Sequence, residues 1–186
     1  RELHLDSTKV TDSGVGHLSG LKELRTLNLG STEVTDSGVS HLSGLKELRE
    51  LHLDSTKVTD SGLGHISGLQ ELRTLYLSGP WFDEGFMQIS DSGVAHLSGL
   101  KELRTLDLSR TRVTDSGLAH LSGLKELRTL SLSGTYEWVS DEKMQFTDSG
   151  VSHLSGLKEL RELHLDFTKV TDSGLGHISG LQELRT

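Results

Sequence analysis

The chain has 186 residues, 19 basic and 27 acidic, giving a formal net charge of −8, and it contains no cysteine. The acidic balance argues against a nucleic-acid partner, because phosphate binding needs a basic face. The missing cysteine excludes disulfides, thiolate metal sites and a cysteine nucleophile. No apolar run in the sequence approaches the roughly 18 residues of a membrane-spanning helix.

Taken in chain order, the sequence is a repeat. Residues 1–23 are a copy lacking its first leucine, and residues 24–47, 48–71, 103–126 and 160–183 are full copies of 24 residues. Two copies are longer, with 31 residues at 72–102 and 33 at 127–159, and Leu184 to Thr186 begin another. The whole of 1–186 is therefore expected to form a single array of seven repeats and a partial eighth, with insertions at 80–88 and 135–145 and no capping units.

Within one copy the period changes. Leu27 and Leu29 alternate with Thr26, Asn28 and Gly30, which predicts a short strand with one apolar face. Thr35 and Asp36 follow as capping residues, Asp36 being suited to accept bonds from helix-start amides. Val39, Leu42 and Leu45 are spaced by three, the inward stripe of a short helix or 3₁₀ turn. Gly44 suits a left-handed stop before the next strand. A single copy cannot bury its leucines, but stacked copies can, with strands pairing at about 4.8 Å over a continuous core. Strands on one side and bulkier helices on the other predict curvature, with the strands on the concave face.

The segment LRTLNLGSTEV at 24–34, and its copies, fit the pattern L-x-x-L-x-L-x-x-N/C-x-L. Over essentially its whole length the chain resembles the leucine-rich repeat family, and the TDSGL segments are similar to its bacterial and F-box-associated forms. The resemblance implies an α/β solenoid, a curved horseshoe with a parallel β-sheet on the concave face and short helices or 3₁₀ turns on the convex face. One departure stands out. Thr8, Thr32, Thr56, Thr111 and Thr168 occupy the usual Asn or Cys position. A threonine hydroxyl still bonds the turn backbone, whereas Pro80, in the fourth repeat, breaks that ladder.

The framework accounts for most residues that suggest chemistry. His17, His41, His65, His96, His120, His153 and His177 occupy one repeat position, a ladder on the helical side rather than a convergent metal set. Asp12, Asp36 and Asp60 recur as caps. Arg25, Arg49 and Arg73 stack at another position, with Glu23, Glu47 and Glu71 placed to compensate. No Ser-His-Asp set, HExxH motif or glycine-rich nucleotide fingerprint is present. Neither enzyme activity nor a metal or cofactor is expected.

Function is expected where the repeats disagree. Three columns face away from the leucine core by strand alternation. Their centres are His4, Asn28, His52, Tyr76, Asp107, Ser131 and His164. Together the columns hold seven carboxylates, Glu2, Glu50, Glu162, Asp6, Asp54, Asp107 and Asp166, with no Lys or Arg, and Arg110 lies just beyond. A protein or peptide with a basic surface is the expected partner. The concave candidates are His52, Asp54, Tyr76, Asp107, Arg110 and Phe167. The Glu50, His52, Asp54 strand favours a protonated imidazole, but an open sheet provides no water-excluding pocket for metal or acid–base chemistry. Six of the eight aromatic residues lie in the insertions: Trp81, Phe82, Phe86, Tyr136, Trp138 and Phe146. Phe146 and Ile89 replace the framework valine and point inward. Trp81, Phe82, Phe86, Tyr136 and Trp138 have no reserved core slot and are candidate contact residues, since Trp and Tyr dominate interface hot spots.

The resulting expectation is a binding scaffold of receptor or adhesin type. It acts through an acidic concave sheet and two aromatic loops, and an extracellular or cell-surface setting is favoured over the cytoplasm. The alternative is a structural protein whose uncapped ends stack head to tail. The ends favour a segment of a longer array over stacked copies.

Overall fold

The computed structural model describes residues 1–80, 87–134 and 146–185. Among them, seven strands form one parallel sheet in sequence order. They are β1 (Glu2–His4), β2 (Thr26–Asn28), β3 (Glu50–His52), β4 (Thr74–Tyr76), β5 (Thr105–Asp107), β6 (Thr129–Ser131) and β7 (Glu162–His164). Each strand is followed by a short helix: α1 (Asp12–Gly16), α2 (Asp36–Ser40), α3 (Asp60–Ile66), α4 (Asp91–Ala95), α5 (Asp115–Ala119), α6 (Asp148–Ser152) and α7 (Asp172–Ile178). The 3₁₀ turns His17–Gly20 and His96–Gly99 extend two of these helices. The architecture is the expected solenoid, with strands on the concave face and helices on the convex.

The register is exact from copy to copy. Leu3, Leu27, Leu51, Leu75, Leu106, Leu130 and Leu163 pair in one row across the sheet. The inner five are fully buried, while Leu3 and Leu163 at the two edges are only partly covered. The framework-valine column is buried even where it changes, since Val34 and Ile89 are fully enclosed and Phe146 is 5% exposed.

Two local expectations need correction. Gly44 makes no left-handed stop, for no described glycine has positive φ. The helical turn closes instead through Leu45 N–H donating to the Leu42 carbonyl at 2.9 Å. The left-handed residue lies earlier, just after the strand, at Ser7, Ser31, Ser55, Arg110 and Phe167, with φ of 53–58°. The threonine that follows each of them donates its hydroxyl to the leucine carbonyl three residues back, as Thr32 does to Leu29 and Thr111 to Leu108 at 2.6 and 2.7 Å. The turn bond expected of threonine is therefore present.

The second correction concerns the aspartates. The helix caps are Thr35, Thr59, Ser90, Thr114, Thr147 and Thr171, whose hydroxyls accept from the amide two residues on. The aspartate after each of these caps but the last reaches across to the next repeat. Asp36 accepts from Thr59 N–H at 2.7 Å and from its hydroxyl at 2.6 Å, and Asp91 does the same with Thr114 at 2.7 Å for both. The same latch spans both insertions, from Asp60 to Ser90 and from Asp115 to Thr147. From the second repeat on, the glycine of the TDSG or SDSG segment makes room for it, since a Cβ on Gly62 would lie 2.5 Å from the Asp36 Oδ1.

Candidate functional site

The strands place His52, Tyr76 and Asp107 side by side, because His52 pairs with Tyr76 and Tyr76 with Asp107 in the sheet register. The His52 and Tyr76 rings pack with centroids 4.5 Å apart and an interplanar angle of 31°. On its own strand, His52 Nε2 lies 2.8 Å from Glu50 Oε1. This row forms a partly exposed aromatic platform with carboxylates at both ends.

Asp54 lies beside it, one step further along β3's outward column, and is half-buried. The feature that sinks it is Gly30 in the preceding repeat. A Cβ there would stand 2.8 Å from Asp54 Oδ2. Within its own strand, Gly30 shows only as an outward position. The available signal was a glycine in a column otherwise filled by Asp and Ser. Burial holds the Asp54 carboxyl above the ordinary carboxylate range; its own amide and His52 oppose this, and Asp107 and Asp6 add to it. The Tyr76 phenol is likewise raised by burial and then by Glu50, Asp107 and Asp54. Asp107 is held in place by the Ser109 amide, which donates to it at 2.8 Å. The environment is thus short of positive charge, and a bound cation would relieve it.

Arg110 does not supply that cation on the open face. It is only 6% exposed, takes the left-handed turn conformation at φ 55°, and donates from Nη1 to the Gly79 carbonyl at 3.4 Å. Burial lowers its pKa, and Asp107 counteracts this. Phe167 occupies the equivalent turn of the seventh repeat at φ 58° and is 36% exposed. It is therefore at the rim, two strands beyond Asp107, and not part of the His52–Tyr76–Asp107 row.

Arg110 and Phe167 share a second property that no single repeat reveals. Each sits against the glycine from which an insertion departs. A Cβ on Gly79 would lie 2.5 Å from the Arg110 carbonyl oxygen, and one on Gly134 would lie 2.5 Å from that of Phe167. The expected break of the ladder at Pro80 is confined to the missing hydroxyl. The backbone rungs continue, with Gly79 N–H to Ser109 O at 2.9 Å, Met87 N–H to Arg110 O at 3.1 Å and Arg112 N–H to Ile89 O at 2.8 Å. Both ends of the first insertion are thereby pinned to the turn of Arg110. Trp81, Phe82, Phe86, Tyr136 and Trp138 lie outside the described residues.

Among the described residues, no group of three or more His, Cys, Asp or Glu is arranged to hold a metal ion, and no helix is long and apolar enough to cross a membrane. The expected pairing of the arginine stack with glutamates is present at Arg1–Glu23, Arg25–Glu47 and Arg49–Glu71, at 2.9, 3.7 and 4.0 Å.

One leucine-rich repeat model matches residues 1–58 and another matches residues 101–122 and 158–179. Among solved structures, the chain is similar to an internalin C2 from Listeria monocytogenes, with 25% identity and a TM-score of 0.68 over 98% of this chain and 77% of that one. It is also similar to an internalin designated inlF from the same organism, with 21% identity and a TM-score of 0.57 over 98% of this chain and 58% of that one. No curated protein sequence matches it.

Proposed function

The chain belongs to the leucine-rich repeat family, and from that premise we propose that it is a non-enzymatic scaffold that binds a basic protein or peptide on its concave sheet. The observation that carries this reading is Asp54, a half-buried carboxylate with a raised pKa beside the His52–Tyr76 platform, within electrostatic reach of Asp107. A scaffold selected for stability alone has no use for such a group, because burying a carboxylate without a cation is unfavourable. A lysine or arginine side chain laid over Tyr76 would meet the ring face and the carboxylates together.

In this reading the aromatic residues of the insertions, Trp81, Phe82, Phe86, Tyr136 and Trp138, add apolar anchors beside the acidic sheet. The setting is extracellular or at the cell surface. Titration of a Lys/Arg-rich peptide by calorimetry tests the proposal. Binding should weaken with salt and fall at least about tenfold in Asp54→Asn and Asp107→Asn, the scale for truncating one partner of a close charge pair. Replacing both insertions by the 24-residue consensus should keep the fold and remove the remaining affinity. Affinity indifferent to salt and to both substitutions would overturn the acidic-sheet reading.

A further inference from the structure

The arginines that precede the strands form one row at the start of the sheet. Arg104 N–H donates to the Arg73 carbonyl at 2.7 Å, Arg128 N–H to that of Arg104 at 2.7 Å and Arg161 N–H to that of Arg128 at 2.8 Å. Like charges stacked at a strand spacing of about 4.8 Å repel. In the first three repeats each arginine has a glutamate: Glu23 for Arg1, Glu47 for Arg25 and Glu71 for Arg49.

From Arg73 onward the pairing stops. Among the described residues, Arg73, Arg104, Arg128 and Arg161 make neither an ion pair nor a side-chain hydrogen bond, although Glu102, Glu126, Glu159 and Glu183 stand at the equivalent positions. These four side chains are half-buried, and their Nε atoms, with that of Arg49, are buried without a partner. A buried donor without an acceptor is unfavourable. The stack itself does not demand it, as the pairs of Arg1 and Arg25 show.

The row changes character where the candidate site begins. Arg73 directly precedes β4, which carries Tyr76, and Arg104 directly precedes β5, which carries Asp107. On each strand the arginine and the site residue are three residues apart, about 10 Å at roughly 3.3 Å per residue. The sheet thus presents two parallel bands of opposite charge, and a purely basic segment answers only the acidic one. The spacing selects the kind of segment that answers both. Side chains seven apart on an α-helix share a face and are separated by about 10.5 Å. On an extended chain, residues of one face fall at about 6.7 or 13.4 Å, to either side of the gap.

We propose that the partner segment is an α-helix laid along β4 and β5, with a lysine or arginine on the Tyr76 platform and a glutamate or aspartate seven residues away between the Arg73 and Arg104 guanidiniums. This rests on the concave-face reading and adds a second anchor to it. A carboxylate in that position accepts from two guanidiniums at once, which sets the register of the helix as well as holding it. Arginine is prominent among interface anchors.

Calorimetry on the intact chain tests this with alanine-rich helical peptides of about 20 residues. One peptide carries lysine and glutamate seven apart, a second the same pair four apart, and a third has alanine in place of the glutamate. The first should bind at least about tenfold more tightly than either of the others. The double variant R73Q/R104Q keeps the aliphatic stems and removes no ion pair, so it should fold normally and lose that preference. R73E/R104E should invert it, favouring a peptide with lysine at both positions. Equal affinity for the three peptides, or a preference that survives R73Q/R104Q, would overturn the proposal. If the peptides bind equally and Asp54→Asn still weakens them all, the concave-face reading stands and only the arginine anchor falls. If the glutamate preference holds while Asp54→Asn and Asp107→Asn change nothing, the concave-face reading falls and the two-anchor helix with it.

Discussion

Replacing Asp91 by alanine should split the solenoid near its middle. Asp91 opens α4, and its two oxygens accept from the Thr114 amide and hydroxyl of the next repeat, both at 2.7 Å. Alanine removes both acceptors and leaves a part-buried backbone donor unsatisfied. Hydrogen bonds to a charged group contribute about 1.5–3 kcal/mol each. Water replaces part of this at a half-exposed site, so a net loss of roughly 2–3 kcal/mol follows. In a solenoid, stability is a sum over repeats and their interfaces. A weakened central interface should therefore uncouple the first four repeats from the last three and broaden the transition. The equivalent change at Asp12 loosens only the interface that holds the first repeat to Thr35 of the second, where Leu3, Leu5 and Leu18 are already partly exposed, and should cost less. Urea unfolding followed by far-ultraviolet circular dichroism measures both. An Asp91→Ala protein within about 0.5 kcal/mol of wild type, the usual range for neutral surface changes, would refute the latch. So would one no less stable than Asp12→Ala.

Gly62→Ala should destabilise by about 1–3 kcal/mol, the usual cost of overpacking, because its Cβ would sit 2.5 Å from Asp36 Oδ1; pairing it with Asp36→Ala should recover part of the loss in thermal melts. The carboxyls of Asp12 and Asp148 are held below the ordinary 3.8, Asp12 despite burial through bonds from Thr35, and Asp148 through the hydroxyl and amide of Thr171. A lowered folded pKa contributes stability above the unfolded value that is lost as pH falls through the folded one, so the first and last interfaces should loosen below about pH 4, read by hydrogen exchange. Asp54 has the opposite sign: its raised pKa makes folding more favourable as pH falls toward 3.8 and less favourable at neutral pH. Asp54→Asn should therefore raise the melting temperature at pH 7 while weakening the basic peptide at least about tenfold.

The repeat was legible because its leucines recur in one register, and a period of two followed by a spacing of three admits little besides a strand and a short helix. The inward roles of Ile89 and Phe146 followed from the same counting. What escaped was contact between copies. Asp36 next to Thr35 reads as a cap of its own helix, because sequence adjacency suggests a local bond, whereas the side chain bonds Thr59 at a separation of 23 residues. Gly44 suits the left-handed turn by residue type, yet the structure puts positive φ on Ser31 and its equivalents, where the turn bond of Thr32 and the Ser31 N–H to Asp54 O rung hold it. Arg110 reads as an available cation because arginine is usually exposed. Its burial depends on Gly79 thirty-one residues earlier, which no single repeat reveals.

The same logic explains why the candidate site lies in repeats three to five. Every other acidic residue of the outward columns has a donor or an open exposure: Asp6 takes Asn28, Asp107 takes the Ser109 amide, Glu162 takes Thr129 and Asp166 takes Ser133. Asp54 has its own amide as donor but is sunk beside Gly30, where burial above all, and then Asp107 and Asp6, raise its pKa. Substituting Gly30 by serine should separate the two roles of this position. The new side chain would compete for the space of the carboxylate and push Asp54 outward, which restores its hydration and lowers its pKa toward 3.8. If half-burial of Asp54 is what gives the face its grip on a cation, Gly30→Ser should weaken the basic peptide although every carboxylate remains. If only net charge matters, affinity should be unchanged. Carboxyl titration of Asp54 by NMR alongside calorimetry distinguishes the two, and an outward Asp54 with undiminished affinity would show that burial has no part in recognition.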